Sequence, residues 1–204
     1  MEFRVPRSRK SDPSAALMAA TQLFWREGYT NVGTRQVEDE TGITRFTLQT
    51  TYGGKLALFL AALDHYLDLF EHGGAPAPDI GSLNELALWF EGFATPSSNA
   101  EMACFGCLML NSIAEFGATN PEVSKRAERY FTLLRSRLIA GLQRLQKQGD
   151  VKGDLNIPHQ VELLMGSVIG MNIIVRSAGQ SAAASAMATA TGKMIRSWVT
   201  GQVI

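Results

Sequence analysis

Cysteine, a net charge of either sign and long apolar runs are all scarce in this sequence. Two cysteines among 204 residues are too few for a disulfide framework. Basic and acidic side chains number 19 each, so the chain is unsuited to coating nucleic acid over its whole surface, although a local basic patch stays possible. The longest apolar stretch, residues 163–175, contains glycine, serine and asparagine and is too short to span a bilayer.

The N-terminal segment is basic and is not followed by an apolar run, so it does not have the pattern of a secretory signal. The hydrophobic fraction of 46% and the charged fraction of 19% are typical of a folded globular protein. We therefore expect a cytoplasmic protein that does not associate with a membrane.

Apolar residues recur at spacings of three and four along most of the chain, which predicts an all-α fold. No stretch alternates apolar and polar residues for long enough to predict a strand. The stretch 73–81, rich in Gly, Pro and Ala, separates two halves. The predicted helices span residues 13–28, 34–41, 44–52, 54–71, 82–94, 103–117, 121–148, 158–177 and 182–202.

The first three predicted helices have the layout of a helix-turn-helix module. Thr34 is the predicted N-cap of the second helix, and Gly42 supplies the positive φ that ends it. Ile43 anchors the turn in the core. Thr44 caps the third helix and offers a hydroxyl to a phosphate.

The third helix has an uncharged outward face apart from Arg45, which suits a helix that enters the major groove of DNA. Gln49 is matched to adenine, and Arg45 to guanine or a phosphate. Lys55 follows two glycines, where the first amides of the next helix form an anion site, and its ammonium is predicted to contact a backbone phosphate.

Residues 16–70 resemble the DNA-binding domain of the TetR/AcrR transcriptional repressors. The resemblance implies an all-α protein with a C-terminal ligand pocket and a dimer interface made by its last two helices. It is carried by Ala19-Ala20-Thr21-Gln22-Leu23-Phe24, Glu27-Gly28-Tyr29, Thr34-Arg35-Gln36-Val37, Thr41-Gly42-Ile43-Thr44-Arg45, Thr47-Leu48 and Tyr52-Gly53-Gly54-Lys55-Leu56-Ala57-Leu58-Phe59.

The sequence departs from the family at the third helix. The family usually has a small residue or proline where Phe46 stands, tyrosine where Gln49 and Thr51 stand, and phenylalanine where Tyr52 stands. Phe46 either contacts a thymine methyl or packs against the first helix. The predicted DNA-binding residues are Thr34, Thr44, Arg45, Phe46, Thr47, Gln49, Thr50, Thr51 and Lys55.

These observations predict three segments: a basic arm over residues 1–12, a helix-turn-helix DNA-binding domain over 13–72, and a helical ligand-binding and dimerisation domain over 80–204. The arm either follows the DNA or is a solvated tail. We expect a repressor that binds a palindromic operator as a homodimer and is released by a small-molecule effector. We predict no enzymatic activity, catalytic residue, cofactor or metal, because the motifs of those classes are missing from the sequence.

Aromatic, methionine and polar residues of the C-terminal half are candidates for lining the ligand pocket, although core packing explains the same pattern. They are Trp89, Phe93, Cys107, Asn111, Tyr130, Met165 and Asn172.

Cys104 and Cys107 are predicted to share a face of one helix, which leaves an alternative trigger open: a thiol-based redox- or electrophile-sensing repressor. The favoured explanation is that both cysteines are small packing residues in a helix wall. Another alternative is a helical interaction module that has lost DNA binding. Small residues over 166–170 and 182–188 suit either a tight dimer interface or close contact within the chain.

Overall fold

The structure is a computed structural model that describes residues 13–72, 80–95 and 104–201. The predicted arm, residues 1–12, lies outside the described residues. The prediction of an all-α fold is confirmed, since the regular elements within the described ranges are helices and Val151 and Val199 form an isolated antiparallel bridge. The helices are α1 (Pro13–Glu27), α2 (Thr34–Thr41), α3 (Arg45–Thr47, continued by a π-helical turn Leu48–Tyr52), α4 (Lys55–Glu71), α5 (Leu83–Gly92), α6 (Leu108–Phe116), α7 (Pro121–Gln148), α8 (Ile157–Ala178) and α9 (Ser185–Arg196, preceded by a 3₁₀ turn Ser181–Ala184).

The longest helix, α7, has the bounds that the sequence predicts, because both ends carry strong local signals. Asn120 accepts hydrogen bonds from the amides of Glu122 and Val123, and Pro121 occupies the first helical position, where its missing N–H costs nothing. Gly149 ends the helix in the left-handed conformation, with φ +85°.

Two predicted helices are shorter in the structure. The helix predicted over 103–117 begins only at Leu108, because Gly106 adopts φ +68° and Cys107 is extended. The helix predicted over 182–202 ends at Arg196. The chain beyond it pairs with the segment before α8: the amide of Lys152 donates to the carbonyl of Trp198.

The chain divides into two compact units, and the division falls inside α4, between His65 and Tyr66. In the first unit, Phe24 of α1 packs edge-on against Phe59 of α4 with ring centroids 5.2 Å apart, and Tyr29 lies 5.1 Å from Phe59. This aromatic core fixes the helices that carry the helix-turn-helix.

In the second unit, three arginines of α7 hold the end of α4 and the segment before α5. Arg129 forms ion pairs with the side chains of Asp68 and Glu71. Arg137 donates to the carbonyl of Glu71 at 2.5 Å, and Arg144 donates to the carbonyl of Ile80. Residues 66–71 at the end of α4 therefore lie in the second compact unit. The predicted end of the DNA-binding domain at residue 72 stays a prediction.

One helix in the described part of the chain, α8, is long and apolar enough to cross a membrane by length and composition. A core helix of a water-soluble protein satisfies the same criteria, so this observation alone is weak evidence.

Candidate nucleic-acid interface

The turn between α2 and α3 is fixed by its own backbone and by one threonine. Gly42 adopts φ +70° and its amide donates to the carbonyl of Glu38 at 3.0 Å. The Thr41 hydroxyl donates to the carbonyl of Val37 at 2.6 Å and accepts from the amide of Ile43 at 3.1 Å. Ile43 is buried, which confirms its predicted role as the anchor of the turn.

Thr44 caps α3 as predicted. Its hydroxyl accepts a hydrogen bond from the amide of Thr47 at 3.1 Å, while its carbonyl accepts from the amide of Leu48 at 2.8 Å. The capping role predicted for Thr34 is wrong. The residue before it, Gly33, is the N-cap, and Thr34 is the first, exposed residue of α2.

The outward face of α3 is the face that the sequence predicts. The side chain of Leu48 is only 2% exposed and packs into the core of the first unit, whereas Phe46 is 76% exposed. The other residues of the predicted contact set on this helix are also exposed, except for Thr47, which is half-buried; the exposed ones are Arg45, Gln49, Thr50 and Thr51.

The end of α3 requires glycine at two consecutive positions. Gly53 adopts φ +82° and Gly54 φ +109°, conformations in which a residue with a Cβ is strained. The amide of Gly53 donates to the carbonyl of Leu48 and closes the π-helical turn, and the amide of Gly54 donates to the same carbonyl at 2.9 Å. The turn after α3 is thereby as well defined as the one before it.

Lys55 holds a role that the sequence did not reveal. Its ammonium donates to the carbonyls of Tyr29, at 2.9 Å, and Val32, at 2.7 Å, and lies 4.0 Å from the centroid of the Tyr29 ring. These bonds tie the first residue of α4 to the connection between α1 and α2. The phosphate contact predicted for Lys55 stays a prediction.

An ion pair joins the C-terminal end of α1 to the C-terminal end of α2. Arg26 donates to the Glu40 carboxylate at 2.6 Å, and Gln36 also donates to that carboxylate at 3.2 Å. The hydrogen bond from Arg26 holds the pKa of Glu40 below its ordinary value, so the carboxylate keeps its charge to a lower pH than a free glutamate does.

In the second unit, a buried cluster joins Cys107 to two tyrosines. The Tyr66 hydroxyl donates to the Cys107 sulfur at 3.3 Å. Burial raises the pKa of both Tyr66 and Tyr130, and the interaction of each hydroxyl with the Cys107 thiol raises it further. Tyr66 is absent from the predicted pocket set, although its position between Leu63 and Phe70 on the apolar face of α4 is a sequence signal for burial.

The two cysteines do not share a helix face, and this corrects the prediction. Cys104 lies half-buried in the turn before α6, and Cys107 is the buried N-cap residue of that helix. Gly106 lies between them, so close to α8 that an added Cβ would stand 2.9 Å from the carbonyl oxygen of Asn172.

The remaining pocket candidates lie on three helices. Trp89 of α5 and Phe93, the residue that caps its C-terminus, stack edge to face with ring centroids 4.9 Å apart, and both are half-buried. Met165 is buried on α8. The amide groups of Asn111 and Asn172 donate to backbone carbonyls, of Phe105 and Val168 respectively, which accounts for polar residues on apolar helix faces.

Helices α1, α2 and α3 thus form a three-helix unit in which a tight turn joins α2 to α3 and one face of α3 is exposed. This arrangement defines the class of helix-turn-helix DNA-binding proteins. Residues 16–62 match the family described as "Bacterial regulatory proteins, tetR family", and residues 83–191 match "Tetracyclin repressor-like, C-terminal domain". The chain belongs to the TetR family and is a DNA-binding transcriptional regulator, as the sequence resemblance predicts.

Known relatives are similar along nearly the whole chain. The HTH-type transcriptional repressor ComR of Escherichia coli (strain K12) is 26% identical over 195 residues, which cover 94% of this chain and 91% of ComR. The fold is shared with a TetR-family regulator from Cytophaga hutchinsonii (TM-score 0.79, 15% identity, 96% of this chain and 99% of that one). It is also shared with a cysteine mutant of the TetR-family regulator CifR complexed with 26bp double-strand operator DNA (TM-score 0.69, 22% identity, 94% and 99%).

Proposed function

We propose that the chain is a repressor that binds a two-fold symmetric operator as a homodimer and releases it when a small molecule binds to the second unit. The carrying observation is an apolar face on α8. Leu163, Ile169 and Ile173 are 56%, 37% and 45% exposed in the protomer, and their spacing places them with Gly166 on one side of the helix.

The two glycines of α8 have different explanations: one is required by packing within the chain, and the other is not. A Cβ on Gly170 would stand 2.9 Å from the terminal methyl of Met187, so Gly170 serves the close packing of α8 on α9. A Cβ on Gly166 would meet nothing within 4 Å, so packing within the chain does not explain that glycine. A second copy of the same face covers this apolar surface best, because a two-fold contact pairs a surface with itself.

Dimer formation is tested by the mass in solution. The wild type is expected to elute as a dimer in size-exclusion chromatography with light scattering, and Leu163→Glu as a monomer, because a buried carboxylate lacks a partner there. Met18→Glu is the control, since Met18 is 49% exposed on α1. A monomeric wild type, or a Leu163→Glu variant that stays dimeric, contradicts the proposed interface.

DNA recognition is assigned to the outward face of α3, with Arg45 and Gln49 as the residues of longest reach and Thr34, Thr47, Thr50 and Thr51 around them. The test is selection from a random duplex library. A two-fold symmetric site enriched by the wild type, and absent or weakened in Arg45→Ala but not in Lys125→Ala on α7, supports the proposal. No enrichment at low salt by a folded dimer would leave the helical interaction module as the better interpretation.

We place the effector among the second-unit candidates, because repressors of this family vary in that half and because Trp89 and Phe93 offer half-buried aromatic surface. Binding there would change the separation of the two recognition helices in the dimer. Compounds that raise the thermal midpoint and lower operator affinity identify the effector. Spin labels on Gln22→Cys of the two protomers then measure the separation, and an unchanged distance would disprove this mechanism. Such a regulator acts in the cytoplasm, where its operator is.

A further inference from the structure

Phe46 is the most exposed large apolar residue among those the structure describes, at 76%. It is the second residue of α3, on the face that the proposed function gives to DNA. Its exposure excludes the interpretation that it packs against α1, which the sequence left open. At this exposure, packing against the described residues does not explain the ring.

The threonines around Phe46 present less hydrogen-bonding capacity than their number suggests. The Thr44 hydroxyl accepts from the Thr47 amide and lies 3.0 Å from the Thr47 hydroxyl. The Thr50 hydroxyl donates its proton to the carbonyl of Phe46 at 2.9 Å. Each of these hydroxyls uses part of its hydrogen-bonding capacity within the helix, and the Thr50 proton is already donated, so the face around Phe46 is less polar than its sequence implies.

The major groove offers one apolar group on a base edge, the 5-methyl group of thymine. Phosphates are charged and hydrated, and the minor groove carries no methyl group. A phenyl ring in the first turn of a recognition helix is placed where such helices touch base edges.

We propose that Phe46 reads the 5-methyl group of a thymine in each half-site and thereby sets part of the operator sequence. This inference rests on the proposed function and goes beyond it by naming a base and the atom group that is recognised. Burial of one methyl group corresponds to a change of about 3- to 5-fold in the dissociation constant per half-site.

The experiment uses the full-length protein and the operator from the library selection. Each thymine of a half-site is replaced in turn by deoxyuridine, which removes the methyl group and keeps every hydrogen-bonding atom. The wild type is expected to bind about 3- to 5-fold more weakly at one position, and about 10- to 25-fold more weakly when both half-sites are changed. Phe46→Ala is expected to bind the thymine and deoxyuridine operators equally.

Leu88→Ala is the matched control, because Leu88 is an exposed apolar residue of α5, outside the proposed DNA-binding face, and is expected to keep the preference for thymine. Since Phe46 is exposed, Phe46→Ala is expected to unfold at the urea concentration of the wild type. A wild type that is indifferent to every deoxyuridine, or a preference that survives in Phe46→Ala, overturns the role of Phe46 alone. Failure to select any symmetric site overturns the proposed function as well, so the two failures are distinguishable.

Discussion

Replacing Lys55 by methionine separates the structural role of this lysine from a contact with DNA. Methionine keeps the length and apolar stem of the side chain but leaves the carbonyls of Tyr29 and Val32 without their charged donor. Each hydrogen bond to a charged group contributes about 1.5–3 kcal/mol, and the contact with the Tyr29 ring about 0.5–1 kcal/mol. Because Lys55 is only half-buried, solvent offsets part of this sum, and we expect a loss of about 2–4 kcal/mol.

The assay is urea unfolding followed by circular dichroism at a fixed protomer concentration, since the stability of a dimer depends on concentration. Lys125→Met, on the exposed surface of α7, is the matched control and is expected to change the unfolding free energy by less than about 0.5 kcal/mol. A Lys55→Met loss no larger than that of the control would refute the anchoring role.

The same variant tests the predicted phosphate contact. The slope of the logarithm of operator affinity against the logarithm of salt concentration falls by about 0.9 for each phosphate that the protein no longer neutralises, hence by about 1.8 for a dimer. If the variant is destabilised but keeps the wild-type slope, the role of Lys55 is only to hold the carbonyls of Tyr29 and Val32. A reduced slope would show that its ammonium also reaches DNA.

Three further perturbations test other parts of the fold. Gly106→Ala is expected to cost about 2–4 kcal/mol in urea unfolding, since it combines a left-handed backbone with a clash against α8, whereas Gly179→Ala, with similar φ and open space, is expected to cost about 1 kcal/mol. Equal losses would disprove the close approach. Thr44→Ala is expected to lower the free energy of unfolding in urea by about 1 kcal/mol. Thr44→Ser is expected to keep most of the wild-type stability, because the cap needs only the hydroxyl. Arg196 lowers the pKa of Glu91, so this pair stabilises the fold above the ordinary carboxyl pKa of about 4.3, and its contribution disappears as the pH falls. Glu91→Gln is expected to remove about 0.5–1 kcal/mol near neutral pH and to flatten the acid side of the stability profile; an unchanged profile would contradict this.

The sequence predicted the helices whose ends carry local signals. Asn120 with Pro121 and Gly149 fixed α7, and Gly42 with Thr44 fixed the turn of the helix-turn-helix. These signals act over three or four residues, so they can be read without knowledge of distant contacts.

The differences came from contacts that are distant in the sequence. The turn at Gly106 packs against α8, and the segment after Arg196 pairs with the residues around Val151, so apolar periodicity overestimated both helices. The anchoring role of Lys55 depends on backbone carbonyls more than 20 residues away, and no side-chain pattern records it. The sequence predicted a phosphate contact for the Lys55 ammonium, but it did not predict the hydrogen bonds from that ammonium to the carbonyls of Tyr29 and Val32.

The closed ends of the recognition helix have a thermodynamic consequence. The Thr44 hydroxyl accepts from an amide in the first turn of α3, and Gly53 and Gly54 end the helix. The helix is therefore formed before any DNA is present. Association with DNA then needs no ordering of this segment, and the entropy of forming it is already part of the folding free energy. We expect the heat-capacity change of operator binding to match the surface that is covered, without the larger change of a segment that folds on binding.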